Sequence, residues 1–113
     1  MEDFVMTISN TIPVISIAGL NTDDTKKSFI KDLMVKSFKK KNVLIDLKLE
    51  PEPTNPFDVN AIKVTINDFH IGYVAKVDQG YFDFTKGEYV AHIVSWGVLK
   101  DESAYVYIQP ILI

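Results

Sequence analysis

The chain has 113 residues, a hydrophobic content of 47% and a net charge of −3, which suits one folded domain and argues against disorder. It has no cysteine and two histidines, which removes disulfides, thiolate metal sites and cysteine nucleophiles and leaves little for a histidine metal site. All 12 basic residues are lysine, so the bidentate phosphate and guanine contacts that arginine makes are absent.

Phe4–Ile8 and Pro13–Leu20 are apolar and rich in Val and Ile, and read as one or two strands broken near Asn10 to Pro13. Asn21-Thr22-Asp23-Asp24-Thr25 then offers helix caps and negative charge for a helix start. Phe29, Ile30, Leu33, Met34 and Phe38 recur at helical spacing, and lysines crowd the far end. This predicts a helix over 24–40. Seven lysines lie between Lys26 and Lys41, so a local basic patch is possible in an acidic chain. The default reading of such a run is a solvated helix face.

Val43–Glu50 alternates like a half-buried strand. Pro51, Pro53 and Pro56 then oppose regular structure. Ala61–Ile66 and Phe69–Val74 predict two strands around an Asn67-Asp68 hairpin turn. Lys76–Phe84 reads as a short helix stopped by Gly87. Glu88–Trp96 and Ala104–Ile113 are the last strands, with Pro110 marking an edge or a bulge. The expected fold is mainly β (α+β). It is an OB-like or SH3-like, antiparallel, partly closed barrel of six or seven strands, with one long and one short helix.

No stretch approaches the apolar length of a membrane span, and the start MEDFVMTISN lacks a secretory pattern. A cytoplasmic protein without membrane contact is expected. No P-loop, G-x-S-x-G, H-E-x-x-H or G-x-G-x-x-G is present. The chain is therefore expected not to be an enzyme, with no metal and no small-molecule cofactor.

The stretch Pro53-x-Asn55-Pro56-Phe57-Asp58-x-Asn60-Ala61-Ile62-x-Val64, followed by Ile71-Gly72-Tyr73-Val74, carries the most information. Its bland reading is a stiff turn, because Asn and Asp bond nearby amides and Pro restrains φ. The same order resembles the HIRAN domain, whose pattern runs close to E-P-x-N-P-[YF]-D-x-N-A-I-x-V and then [IV]-G-[YH]-[LVI]. The resemblance covers most of the chain and implies a single HIRAN-like domain over 1–113. Such domains occur as N-terminal modules of Swi/Snf-type remodelling ATPases and as small stand-alone bacterial or phage proteins. The implied fold is an OB-like barrel. The implied activity is gripping the free 3′-hydroxyl end of single-stranded DNA, in a DNA-repair setting.

On this resemblance Phe57 matches the aromatic that stacks on the terminal base, and Asp58 the carboxylate that accepts from the terminal hydroxyl. Tyr73 and Lys76 match positions on the base or backbone. Tyr105 lies near where an aromatic wedges against the next base. Asn55, within the motif, and Lys63, a possible substitute cation, complete the candidate set. An ionised Asp only accepts hydrogen bonds, so it fits a strand that ends in a hydroxyl and opposes a phosphate. Two departures stand out. Leu20-Asn21-Thr22 replace an Arg–aromatic pair that follows the first-strand glycine, and Pro51 stands where Arg often precedes the acidic-Pro pair.

A second expectation belongs to another class. The chain is then a non-catalytic domain that keeps the fold and binds a protein partner or a second copy of itself. Tyr105-Val106-Tyr107-Ile108 and the tail Ile111-Leu112-Ile113 would supply a sticky edge.

Overall fold

The computed structural model describes residues 12–39 and 45–113. The strand expected over Phe4–Ile8, the helix end at Lys40 and the start of the Val43 strand lie outside the described residues.

Among the described residues, six strands form one closed antiparallel barrel. They are β1 (Ile15–Ala18), β2 (Leu47–Pro51), β3 (Ile62–Ile66), β4 (Phe69–Val74), β5 (Tyr89–Val98) and β6 (Ala104–Leu112). Their order round the barrel is β1-β4-β3-β2-β5-β6, closing back on β1. The arrangement is mostly β and compatible with an OB-like barrel. The expected partly closed barrel is fully closed. β2 pairs with β5 through Lys48 opposite Val90 and Leu49 opposite Tyr89, and β1 pairs with β6 through Ile15 opposite Ile108 and Ser16 opposite Tyr107. Both contacts join segments remote in sequence, which alternation alone does not register.

Period-2 alternation fills the interior. Ile15 and Ile17 of β1, Leu47 and Leu49 of β2, Val64 and Ile66 of β3, and Val106 and Ile108 of β6 all point inward and are buried. Each fully buried Val or Ile contributes about 1.5–3 kcal/mol relative to exposure. Register breaks at Val64/Thr65 and at Ile93/Ser95, and such bulges bend strands into a closed wall. Asn67 and Asp68 both take positive φ, 51° and 68°, the geometry of a two-residue hairpin turn. Gly72 sits where β4 presses on β1, and a Cβ there would meet the Ala18 carbonyl oxygen.

The helix α1 (Asp24–Lys39) is capped by Asp23, whose Oδ1 accepts from Thr25 N at 2.7 Å. Its buried residues are Ile30, Leu33 and Met34, and Phe29 stacks on Phe69 of β4 at 4.3 Å. Phe38 departs from the expected stripe and is exposed. At 100° per residue it lies about 80° round from Ile30, at the stripe's margin.

Three further expectations are corrected. The second helix is a 3-10 helix over Lys76–Tyr81, and it ends well before Gly87. Gly87 instead lets the chain pass the C-terminus, since a Cβ there would fall 2.7 Å from the Ile113 carbonyl oxygen. Pro51 belongs to β2, opposite Ile62, because a strand's last residue can lack a donor. The sticky edge at Tyr105–Ile108 is closed, as β6 has β1 on one side and β5 on the other at Tyr107 and Ile108. Pro110 does sit at an edge-like place. It pairs with Ala91 of β5, beyond the end of β1.

Candidate functional site

The connection from β2 to β3, residues 52–61, is built on side-chain hydrogen bonds. Glu52 N donates to Ala61 O at 2.9 Å and Ala61 N to Asp58 O at 3.1 Å, which pinches the loop at its base. Asn55 is its hub. Its Oδ1 accepts from Phe57 N at 2.9 Å and from Asp58 N at 3.0 Å. Its Nδ2 donates to Glu52 Oε1 at 2.8 Å and to the Tyr73 hydroxyl at 3.3 Å. Tyr73 in turn donates to Glu52 Oε1 at 2.9 Å. Glu52, Asn55 and Tyr73 thus lock the loop onto β4.

Asp58 is oriented by two donors. Asn60 N reaches its Oδ1 at 2.9 Å and Gln79 Nε2 its Oδ2 at 2.8 Å. The Gln79 and Asn60 bonds hold its carboxyl below the usual carboxylate range, and the Lys76 ammonium adds to this. Asp58 is therefore ionised at neutral pH. Each oxygen keeps acceptor capacity beyond the bond it makes.

Asp58, Tyr73, Lys76, Gln79 and Ala18 line one cavity of about 220 Å³. Lys76 and Gln79 also line a larger cavity of about 470 Å³ with Pro51, Val59, Phe82 and Phe84. The Tyr73 and His70 rings pack perpendicular to each other, centroids 4.8 Å apart. Burial lowers the His70 pKa, and the charges of Lys26 and Lys63 push the same way. His70 is neutral at pH 7, with Nε2–H donating to Gly72 O at 2.9 Å. Lys26 of α1 and Lys63 of β3 thus lie within electrostatic reach of His70, and Lys76 of the 3-10 helix within reach of Asp58.

The sequence candidates fall into three groups. Asp58, Tyr73 and Lys76 share the cavity. Phe57 stands clear at the loop tip, 92% exposed, with its backbone amide held by Asn55. Asn55 shapes the loop, and Lys63 pairs with Glu50 at 3.8 Å opposite Tyr73. Tyr105 is not in the cavity. It lies two strands away on β6, over Gly97.

Sequence reasoning missed Glu52 and Gln79. Glu52 had a signal, as the acidic residue of the motif itself. Gln79 had none, because its bond to Asp58 spans 21 positions. The departures also find their reason here. Leu20 is buried, and Asn21 bonds both backbone groups of Ala104, donating to its O at 2.9 Å and accepting from its N at 2.7 Å. Those positions tie the β1–α1 turn to β6. Among the described residues no group of three or more His, Asp or Glu side chains could hold a metal, and no helix is long and apolar enough to cross a membrane.

No family model matches the chain, and no curated protein or solved structure matches it.

Proposed function

We propose that this chain is a HIRAN-like, non-catalytic module that grips the free 3′-hydroxyl end of a single strand of DNA. The observation that supports it best is the joint placement of Asp58, Tyr73 and Lys76 round one small cavity, with Phe57 exposed beside it. A terminal sugar in that cavity would donate its hydroxyl to the ionised Asp58. Lys76 would meet the phosphate preceding it, and Phe57 would cover the base face, an interaction worth about 1–3 kcal/mol. Lys26 and Lys63 would supply the positive field that the missing arginines supply elsewhere, as point charges rather than forks.

Fluorescence anisotropy at low salt tests this, comparing a short strand with a 3′-hydroxyl against the same strand with a 3′-phosphate. The hydroxyl form should bind more tightly, and Asp58→Ala should abolish the preference while circular dichroism shows the barrel intact. Equal binding of both ends before and after the change would refute the mechanism.

A protein-binding or self-associating domain is the second reading. It is favoured by the consecutive exposed aliphatics Ile111, Leu112 and Ile113 at the end of β6. Light scattering decides it for self-association, since a strict monomer at high concentration counts against a homodimer.

A further inference from the structure

We propose that Gln79 decides which strand end the Asp58 cavity accepts, by fixing the Asp58 carboxylate in one plane with a neutral donor. The inference rests on the end-binding reading above and names a positioning residue for it. Four aspartates among the described residues close the same kind of local turn, each accepting from the amide two positions on. Asp23 takes Thr25 N at 2.7 Å, Asp58 takes Asn60 N at 2.9 Å, Asp83 takes Thr85 N at 3.0 Å and Asp101 takes Ser103 N at 3.0 Å. In Asp83 and Asp101 the same Oδ1 also takes the hydroxyl of that Thr or Ser, so the added contact is local too.

Of these four turns, Asp58 alone takes a donor on Oδ2 from another element, Gln79 Nε2 at 2.8 Å across 21 positions. The turn forms three times without such a donor, so Gln79 is not what closes it. Its bond fixes something else. The terminal torsion of an Asp side chain is broad, and a carboxylate held on one oxygen still swings about it. Held on both oxygens, the Asp58 carboxylate stays in one plane, and each oxygen keeps a further acceptor site for a ligand.

The 3-10 helix explains how Gln79 reaches the site. Lys76 and Gln79 are three apart on it. At three residues per turn their side chains eclipse, whereas an α-helix would turn the second away by about 60°. One face thus carries a cation and an amide, and both line the Asp58 cavity. Their tasks differ. Lys76 is a charge that attracts any phosphate. Gln79 donates without charge, so it holds the Asp58 anion without neutralising it. A lysine at 79 would also hold the carboxylate, but would cancel its repulsion of a terminal phosphate. The Gln79 bond is the foremost cause of the lowered Asp58 pKa, ahead of Asn60 and Lys76. The other groups facing Asp58 in the cavity are the Tyr73 hydroxyl of β4, which already donates to Glu52, and Ala18 of β1. The Gln79 carbonyl accepts from Phe82 N at 3.1 Å, a main-chain bond that a substitution at 79 retains.

Two variants test this by anisotropy with 3′-hydroxyl and 3′-phosphate strands. Gln79→Met keeps the reach of the side chain and removes the donor, and Gln79→Lys keeps a donor and adds a charge. Carbon-13 NMR follows the titration of the Asp58 carboxyl in the strand-free protein. In Gln79→Met the hydroxyl form should bind about 10-fold more weakly, the order of one hydrogen bond to a charged group. The phosphate form should bind as before, and Asp58 should titrate at higher pH than in the parent. In Gln79→Lys the phosphate form should gain affinity and the preference for the hydroxyl should vanish. The inference is overturned if the parent prefers the hydroxyl and Gln79→Met keeps that preference in full, or if Asp58 titrates in Gln79→Met as it does in the parent. Should Gln79→Met not fold, an undiminished preference in Gln79→Lys overturns it equally. If the parent itself binds both ends alike, the end-binding reading fails, and this inference with it.

Discussion

The connection that carries Asp58 to the candidate cavity and the connection that follows the 3-10 helix are held in opposite ways. Residues 52–61 are held by polar side chains. Asn55 gathers Phe57 N, Asp58 N, Glu52 and Tyr73, and the loop's aromatic points to solvent. Residues 82–88 are held by aromatic packing. Phe82 and Phe84 each meet the Tyr89 ring edge-on, at 5.0 and 5.1 Å, and the Tyr89 hydroxyl accepts from Asp83 N at 2.9 Å. Asp83 spends its carboxylate on a local turn with Thr85, whereas Asp58 turns its carboxylate to a cavity. An aromatic used for packing is turned inward. An aromatic left outside while polar groups fix its backbone is free to meet a ligand, the role proposed for Phe57.

The largest effect should come from the packed connection. Tyr89 is buried at the β5 start, and Tyr89→Ala should cost about 3–5 kcal/mol, as large aromatic truncations do. Urea unfolding followed by Trp96 fluorescence measures it. The folded fraction should keep its preference for a hydroxyl end. Loss of that preference would show that the two connections act as one.

Asn55→Ala comes next. It releases two backbone amides and the Glu52 and Tyr73 contacts, and should cost about 1–3 kcal/mol of stability. Here end preference should fall too, because the Asp58 backbone loses its anchor. A destabilised Asn55→Ala variant with unaltered preference would break the link between loop order and site.

Phe57→Ala should leave stability within about 0.5 kcal/mol of the parent, since its ring is exposed. Strand affinity should fall by about 1–3 kcal/mol. A large shift in the urea midpoint would show instead that Phe57 packs, like Phe82.

The smallest effect concerns acid. Asn55 and Tyr73 bonds hold Glu52 below the usual carboxylate range, and Gln79 and Asn60 bonds do the same for Asp58. Folding then favours the ionised forms. Their stabilisation is present above the ordinary carboxylate value and is lost as pH falls through the lowered folded values. The urea midpoint should decline below about pH 4, and less so in the Glu52→Gln, Asp58→Asn double variant. An unchanged acid limb would show that the latch contributes nothing to stability. In the 82–88 connection Asp83 should respond to acid in the same sense, since its Thr85 bonds lower its carboxyl.

How far the sequence reached can be judged residue by residue. Alternation in 62–66 and 69–74 located β3 and β4 to within a residue, because that signal is local. Asn67-Asp68 marked its turn by residue type. The order of residues from Pro53 to Val64 located the loop and proposed Asp58, Tyr73 and Lys76 together. It did not reveal that the Tyr73 hydroxyl is engaged by Glu52, or that Gln79 crosses to Asp58. Those bonds join strands and turns far apart in the chain. Tyr105 was drawn towards the cavity by a loose alignment, while the register puts it over Gly97.

By itself the sequence determined the element types, most of the core, the absence of arginine and cysteine, and the loop that draws attention. These follow from residue type and spacing along one segment. The tertiary structure decided that the barrel closes, that Leu20 and Asn21 are spent on packing and on Ala104, and that Asp58 meets Tyr73 and Lys76 at one cavity. Each of these depends on which strands become neighbours, a choice made by the whole core at once.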